Sequence, residues 1–178
     1  MSPAVGIRIV LVVFVVTILQ VSAFSAVAVG GGGPDVLLVT LVSIAMLRGA
    51  VTGAITGFAA GLIVDVTTLG TLGLTSLLLT LAGYWAGRYG ETTGRSRAHA
   101  PLVATVVATV VATVLIEVGG YGLHSMLGEP VAVRTVLVTL PATVIWTALL
   151  AYPVFGLVRR LVGSTERLER VREVELLV

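Results

Sequence analysis

The 178-residue sequence has no cysteine and very little charge. The first absence excludes disulfide bonds, thiol catalysis and cysteine-ligated metals. Only 11% of the residues are charged, whereas 57% are hydrophobic, and the mean hydropathy is +1.09. A soluble domain needs far more charge to cover its surface. Strand-like alternation of apolar and polar residues is absent too, so we predict an all-α integral membrane protein.

Motifs for catalysis are also missing. Neither HExxH nor GxSxG occurs, and without a Walker A sequence the chain cannot power transport by itself. The two histidines, His99 and His124, fall far apart in the predicted topology, so a histidine metal site is not expected. No aromatic-basic surface for nucleic acid is visible. We therefore predict that the protein is not an enzyme and has no cofactor, metal or nucleic-acid partner.

Long apolar runs divide the chain into six predicted transmembrane helices. A run near twenty residues spans about 30 Å of hydrocarbon at 1.5 Å per residue. The first run is too long and too weakly basic for a cleaved signal peptide, so we predict that it is retained. The predicted spans are 7–29, 36–47, 50–64, 72–87, 101–123 and 134–158. We assign 1–158 to the membrane domain and 159–178 to a cytoplasmic amphipathic tail.

The arginines predict the orientation of these spans. Loops on the cytoplasmic side are enriched in basic residues. With six crossings, only Arg134 lies outside, and a single crossing over 36–64 would destroy this asymmetry. We therefore predict a multi-pass membrane protein with both termini in the cytoplasm. The ten arginines predicted to lie inside are Arg8, Arg48, Arg88, Arg95, Arg97, Arg159, Arg160, Arg167, Arg170 and Arg172.

The tail after Arg159 has two interpretations. Leu168 and Val171 lie along one face of a possible helix whose other positions are rich in charge. Such a helix rests on the inner headgroups, with arginines toward anionic lipid. Alternatively, it is a docking helix for a cytosolic partner.

Small residues recur every fourth position in three predicted helices. In lipid, helices associate by close packing, and small-xxx-small steps allow backbones to approach. Each ridge therefore predicts either packing inside the bundle or docking of another protein's membrane helix. The glycine ridges are Gly49, Gly53, Gly57 and Gly61 in the third helix and Gly83 and Gly87 in the fourth; the fifth helix has Ala104, Ala108 and Ala112 beside Thr105, Thr109 and Thr113.

Three acids and one arginine are predicted to meet near the outer face. Charges within a membrane span are costly, so each suggests a function. Asp35 follows "GGGGP" at the start of the second helix, where it can act as an N-cap. Asp65 ends the third helix and can cap the following turn, whereas Glu117 lies inside the fifth helix and Arg134 begins the sixth.

The segment 34–88 contains several short motifs in a distinctive order. A Pro-Asp pair opens a short apolar helix, followed by Gly-Phe-x-x-Gly-Leu-x-x-Asp, a Leu-Gly-Leu turn and Gly-Tyr. These motif residues are Pro34, Asp35, Gly57, Phe58, Gly61, Leu62, Asp65, Leu72, Gly73, Leu74, Gly83 and Tyr84. In order and spacing, these motifs resemble those of the rod shape-determining protein MreD family. The family often has Ser-Gly-Gly before the turn, where this chain has "TTLGT".

The resemblance implies a non-enzymatic component of the bacterial elongation machinery, located in the inner membrane. Its implied partners are the bitopic protein MreC, the MreB filament, a SEDS-family glycan polymerase and the transpeptidase that works with it. The implied fold is like the substrate-binding subunits of energy-coupling-factor transporters. The alternative function is such a subunit, binding a vitamin or metal in an outer pocket formed by the acids.

Overall fold

The computed structural model describes residues 3–24, 33–69, 71–93, 100–126, 128 and 133–175. These residues form six α-helices and contain no strand, which confirms the all-α prediction and the number of helices. A π-helical turn, Gln20–Phe24, extends the first helix. The helices are α1 Pro3–Leu19, α2 Val36–Arg48, α3 Ala50–Thr68, α4 Leu74–Thr93, α5 Ala100–Met126 and α6 Val133–Glu175.

Three of the helices contain stretches long and apolar enough to cross a membrane. Within the described residues these are Ala50–Thr68, Ala104–Leu123 and Thr139–Leu161, and two shorter apolar helices are Gly6–Ser22 and Val36–Arg48. The prediction of six full spans is thus supported for three helices. α4 has the polar sequence "GRYGETT" at its end, which shortens its apolar part.

The short helix α2 forms the centre of the bundle. All residues from Leu37 to Ala45 are buried, and α2 contacts each of the other five helices. Because no side of a helix so placed faces lipid, its sequence is apolar all round rather than on one stripe. Two hydroxyls in the core, Thr17 and Ser43, donate to the carbonyls of Val13 and Val39 four residues earlier, at 2.7 Å each.

The last helix is unusually long. α6 continues for 43 residues and includes Pro141 and Pro153. The boundary predicted at 158/159 therefore lies within a continuous helix, and the division into a membrane domain and a cytoplasmic tail stays a prediction. The side chains of 162–178 lie outside the described residues.

Candidate functional site: a glycine-packed hairpin and an open alanine groove

The glycine ridge of α3 lies directly against the backbone of α4. A methyl group built on Gly53, Gly57 or Gly61 would come closer than 3.0 Å to backbone atoms of Gly83, Leu79 and Ser76, respectively. These three partners run in the opposite order along the chain, so the two helices pack antiparallel. Close approach of backbones is the packing that small residues allow in lipid.

The glycines of α4 complete the same interface from the other side. A methyl group on Gly83 would overlap the backbone of Gly53, and one on Gly87 would overlap that of Ala50. Gly90, which was not among the predicted ridge residues, meets the backbone of Met46 in α2 in the same way. The missed signal is the three-residue step from Gly87 to Gly90, which keeps both glycines on one helix face.

Gly49 has a different role from the other members of the predicted ridge. It separates α2 from α3 and adopts φ +93°, a conformation that glycine tolerates and other residues do not. Its N–H donates to the carbonyl of Ala45 at 2.7 Å, which ends α2. A single residue therefore turns the chain between the two helices.

Asp65 binds the beginning of α4. Its side chain is 2% exposed. One carboxylate oxygen accepts from the N–H groups of Gly73 at 2.8 Å and Ser76 at 3.3 Å, and the other accepts from Thr75 at 3.2 Å. The first N–H groups of a helix have no partner within it, and the helix dipole favours an anion there. The acid at the end of α3 therefore caps the next helix.

The antiparallel pair α3 and α4 is called the α3–α4 hairpin below. Glu91 makes the reciprocal contact at its opposite end. One of its carboxylate oxygens accepts from the N–H of Ala50, the first residue of α3, at 2.9 Å. Arg88 lies 3.8 Å from its other oxygen in an exposed pair. The role of Glu91 could not be found from the sequence, because the residue that it contacts lies 41 positions away. Each of the two helices thus has, near its C-terminal end, an acid that caps the other.

The start of α2 is held by two side chains. Asp35 accepts from the N–H of Leu38 at 2.8 Å, in agreement with the N-cap expected from the sequence. Gln20, in the π-helical turn, donates to the carbonyl of Pro34 at 3.1 Å and accepts from the N–H of Val36 at 3.0 Å. The sequence does contain a signal for Gln20: it is an isolated amide side chain in an apolar span, and a polar side chain there requires a hydrogen-bond partner.

The structure shows different contacts for the described members of the predicted outer group of acids. Desolvation raises the pKa of Asp35 to about 6, the hydrogen bond from Leu38 opposes the rise, and the charge of Glu117 adds to it. Glu117 thus lies within electrostatic range of Asp35. Asp65 is instead engaged by the α4 backbone, and the side chain of Arg134 lies outside the described residues. Within the described part of the chain, no three acids or histidines are placed to hold a metal ion.

The alanine ridge of α5 lines an open groove against α4. The groove encloses about 430 Å³. Ala108 and Ala112 of α5 contribute to its wall, whereas Trp85 and Tyr89 of α4 are 62% and 42% exposed beside it. The adjacent threonines point inward and are buried. The full lining is Ala82, Trp85, Ala86, Tyr89, Val107, Ala108, Val111, Ala112 and Leu115.

Burial of a predominantly apolar central helix, together with three helices of membrane-spanning length, defines an α-helical membrane protein. The family model of the rod shape-determining protein MreD matches residues 4–163. The chain therefore belongs to the MreD family, as the motif in 34–88 indicated, and its role is in rod-shape determination. No curated protein and no solved structure gives a significant match. The likeness to energy-coupling-factor transporter subunits stays a prediction.

Proposed function

We propose that this protein is a non-enzymatic component of the complex that elongates rod-shaped cells, in which it binds MreC and supports peptidoglycan synthesis. The MreB filament, the SEDS-family polymerase and its transpeptidase are the further partners in this proposal. The protein is proposed to be multi-pass in the inner membrane, with both termini cytoplasmic. Membership of the MreD family, over residues 4–163, carries the proposal.

The packing of the hairpin limits where a partner can bind. The glycine ridge of α3 is covered by α4 along its length, so it is not available to a second protein. The alanine ridge of α5 instead lines the open α4–α5 groove. Its small side chains allow a partner helix to approach closely, and close packing is the main attraction between helices in lipid. We therefore assign this groove to the single transmembrane helix of MreC.

Capture of MreC tests the proposal. The purified full chain should retain MreC from its own organism without added ligand. Ala108→Trp places a large ring in the groove and should lower capture by about tenfold, since each 1.4 kcal/mol of lost binding is tenfold. Ala59→Trp is the matched control, because Ala59 is exposed on α3 outside the groove lining.

The outcomes distinguish a failure of MreC binding from a failure of the groove assignment. No capture by the unmodified chain contradicts MreC binding itself. Equal capture by the Ala108→Trp and unmodified proteins contradicts only the groove assignment. The melting temperature of each variant shows whether it is folded. No observation favours the transporter alternative, since both oxygens of Asp65 are engaged by backbone amides rather than directed to a ligand.

A further inference from the structure

A second cavity, of about 290 Å³, lies between α1 and α6. Its walls come from residues about 150 positions apart in the chain, so it exists only in the folded bundle. The lining combines two arginines with four aliphatic side chains. These residues are Ile7, Arg8, Leu11, Val12, Arg160 and Leu161.

The two arginines mark one level of the membrane. Arg8 lies near the start of the apolar stretch Gly6–Ser22, and Arg160 lies near the end of Thr139–Leu161. Both therefore lie where the hydrocarbon meets the headgroups, the depth at which arginine side chains are stable. The predicted topology makes this the inner leaflet.

The two helices are fixed against each other deeper in the bundle. Ile9 and Val13 of α1 are buried in the same hydrophobic core as Val158 of α6. In contrast, Leu11 is 61% exposed and Leu161 is 43% exposed. The cavity is thus a defined gap between packed helices, open to the surrounding lipid along its apolar walls.

We propose that this cavity binds an anionic phospholipid. The guanidinium groups of Arg8 and Arg160 bind the phosphate, because the planar donor groups of arginine match phosphate oxygens. An acyl chain of the same lipid lies on Leu11 and Leu161. Apolar walls next to two cations favour a ligand that has both an anionic group and an apolar chain, and a zwitterionic lipid would gain less from the arginines. This site is independent of MreC binding.

Titration of the purified full chain with defined lipids tests the proposal. Native mass spectrometry would count bound molecules of phosphatidylglycerol and phosphatidylcholine, with inorganic phosphate as a competitor. Phosphatidylglycerol should bind at least tenfold more tightly than phosphatidylcholine. Arg8→Gln and Arg160→Gln should each weaken its binding by about fivefold, and the double variant by about thirtyfold, from ~1 kcal/mol per basic residue. Leu11→Trp should also weaken binding, by blocking the apolar wall.

Arg159→Gln is the matched control, because Arg159 is exposed next to Arg160 but does not line this cavity. Its effect should be less than twofold. An equal loss with Arg159→Gln would mean that general surface charge attracts the lipid, which overturns the site. Equal binding of the two lipids, or displacement by inorganic phosphate at similar concentration, would also overturn it. If the double variant does not fold, the single variants decide the test.

Discussion

At the scale of single residues, the acids Asp65 and Glu91 are held mainly by backbone N–H groups rather than by cationic side chains. Asp65 accepts three backbone N–H groups at the start of α4, and Glu91 accepts one at the start of α3. For the buried Asp65, removal from water would be costly unless hydrogen bonds replaced the hydration of the carboxylate. Both acids also satisfy N–H groups at helix ends that would otherwise be without partners.

Replacement of Asp65 by asparagine should destabilise the protein. An amide keeps only one oxygen, so its NH₂ group faces at least one of the backbone N–H groups that the carboxylate accepts. We expect a loss of about 1.5–3 kcal/mol in the free energy of unfolding, the usual value for a hydrogen bond to a charged group. Reversible unfolding in mixed micelles measures this change.

The matched control for Asp65→Asn is Thr67→Ala in the same final turns of α3. The exposed Thr67 hydroxyl donates only within its own helix, to the carbonyl of Ile63 at 2.8 Å and that of Val64 at 3.0 Å. It should change stability by less than about 0.5 kcal/mol. Asp65→Asn and Thr67→Ala proteins of equal stability would contradict the capping role.

At the scale of elements, the α3–α4 hairpin is stabilised along its whole length by backbone contact and at both ends by the two acids. The glycines bring the helices together between the caps. Since the caps are on opposite helices, sliding one helix along the other would break both together. The pair therefore has one register.

Gly57→Ala should destabilise the hairpin, although alanine is the better helix former. Its methyl group would overlap the backbone of Leu79, which cannot move aside as a flexible side chain can. Forced separation of packed elements costs about 1–3 kcal/mol. The midpoint of thermal unfolding in detergent should fall accordingly.

The matched control for Gly57→Ala is Gly156→Ala in α6. A methyl group there meets nothing within 4 Å. Gly156→Ala should therefore be neutral or stabilise the protein by about 0.5–1 kcal/mol, because alanine loses less conformational entropy in a helix. A Gly57→Ala protein as stable as the Gly156→Ala protein would show that the two backbones are not in contact.

The sequence predicted these elements better than it predicted their partners. The four-residue spacing of Gly53, Gly57 and Gly61 predicts a ridge, because side chains four apart share a helix face. It cannot tell which helix covers the ridge, since that depends on tertiary packing. Gln20 and Glu91 were missed for the same reason: their hydrogen bonds reach 14 to 41 residues along the chain.

At the scale of the whole molecule, orientation in the membrane is the property that the arginines predict. Ten of the eleven arginines fall on one side in the six-helix topology. Reporter fusions after Gly94 and after Val178 should therefore both give a cytoplasmic signal. A periplasmic signal at either position would contradict the topology, and a fusion in the loop between α5 and α6 is the positive control for the outer side.

The central position of α2 has a consequence for how the protein is made. α2 has 13 residues, about 20 Å of helix, which is short of the ~30 Å hydrocarbon layer. Its ends are satisfied by Gln20, Asp35 and Gly49 within the folded protein. Before its neighbours are synthesised, α2 is too short to span the lipid and has no complete layer of protein around it. Stable integration of α2 therefore depends on helices synthesised after it, from α3 to α6, rather than on its own apolar length.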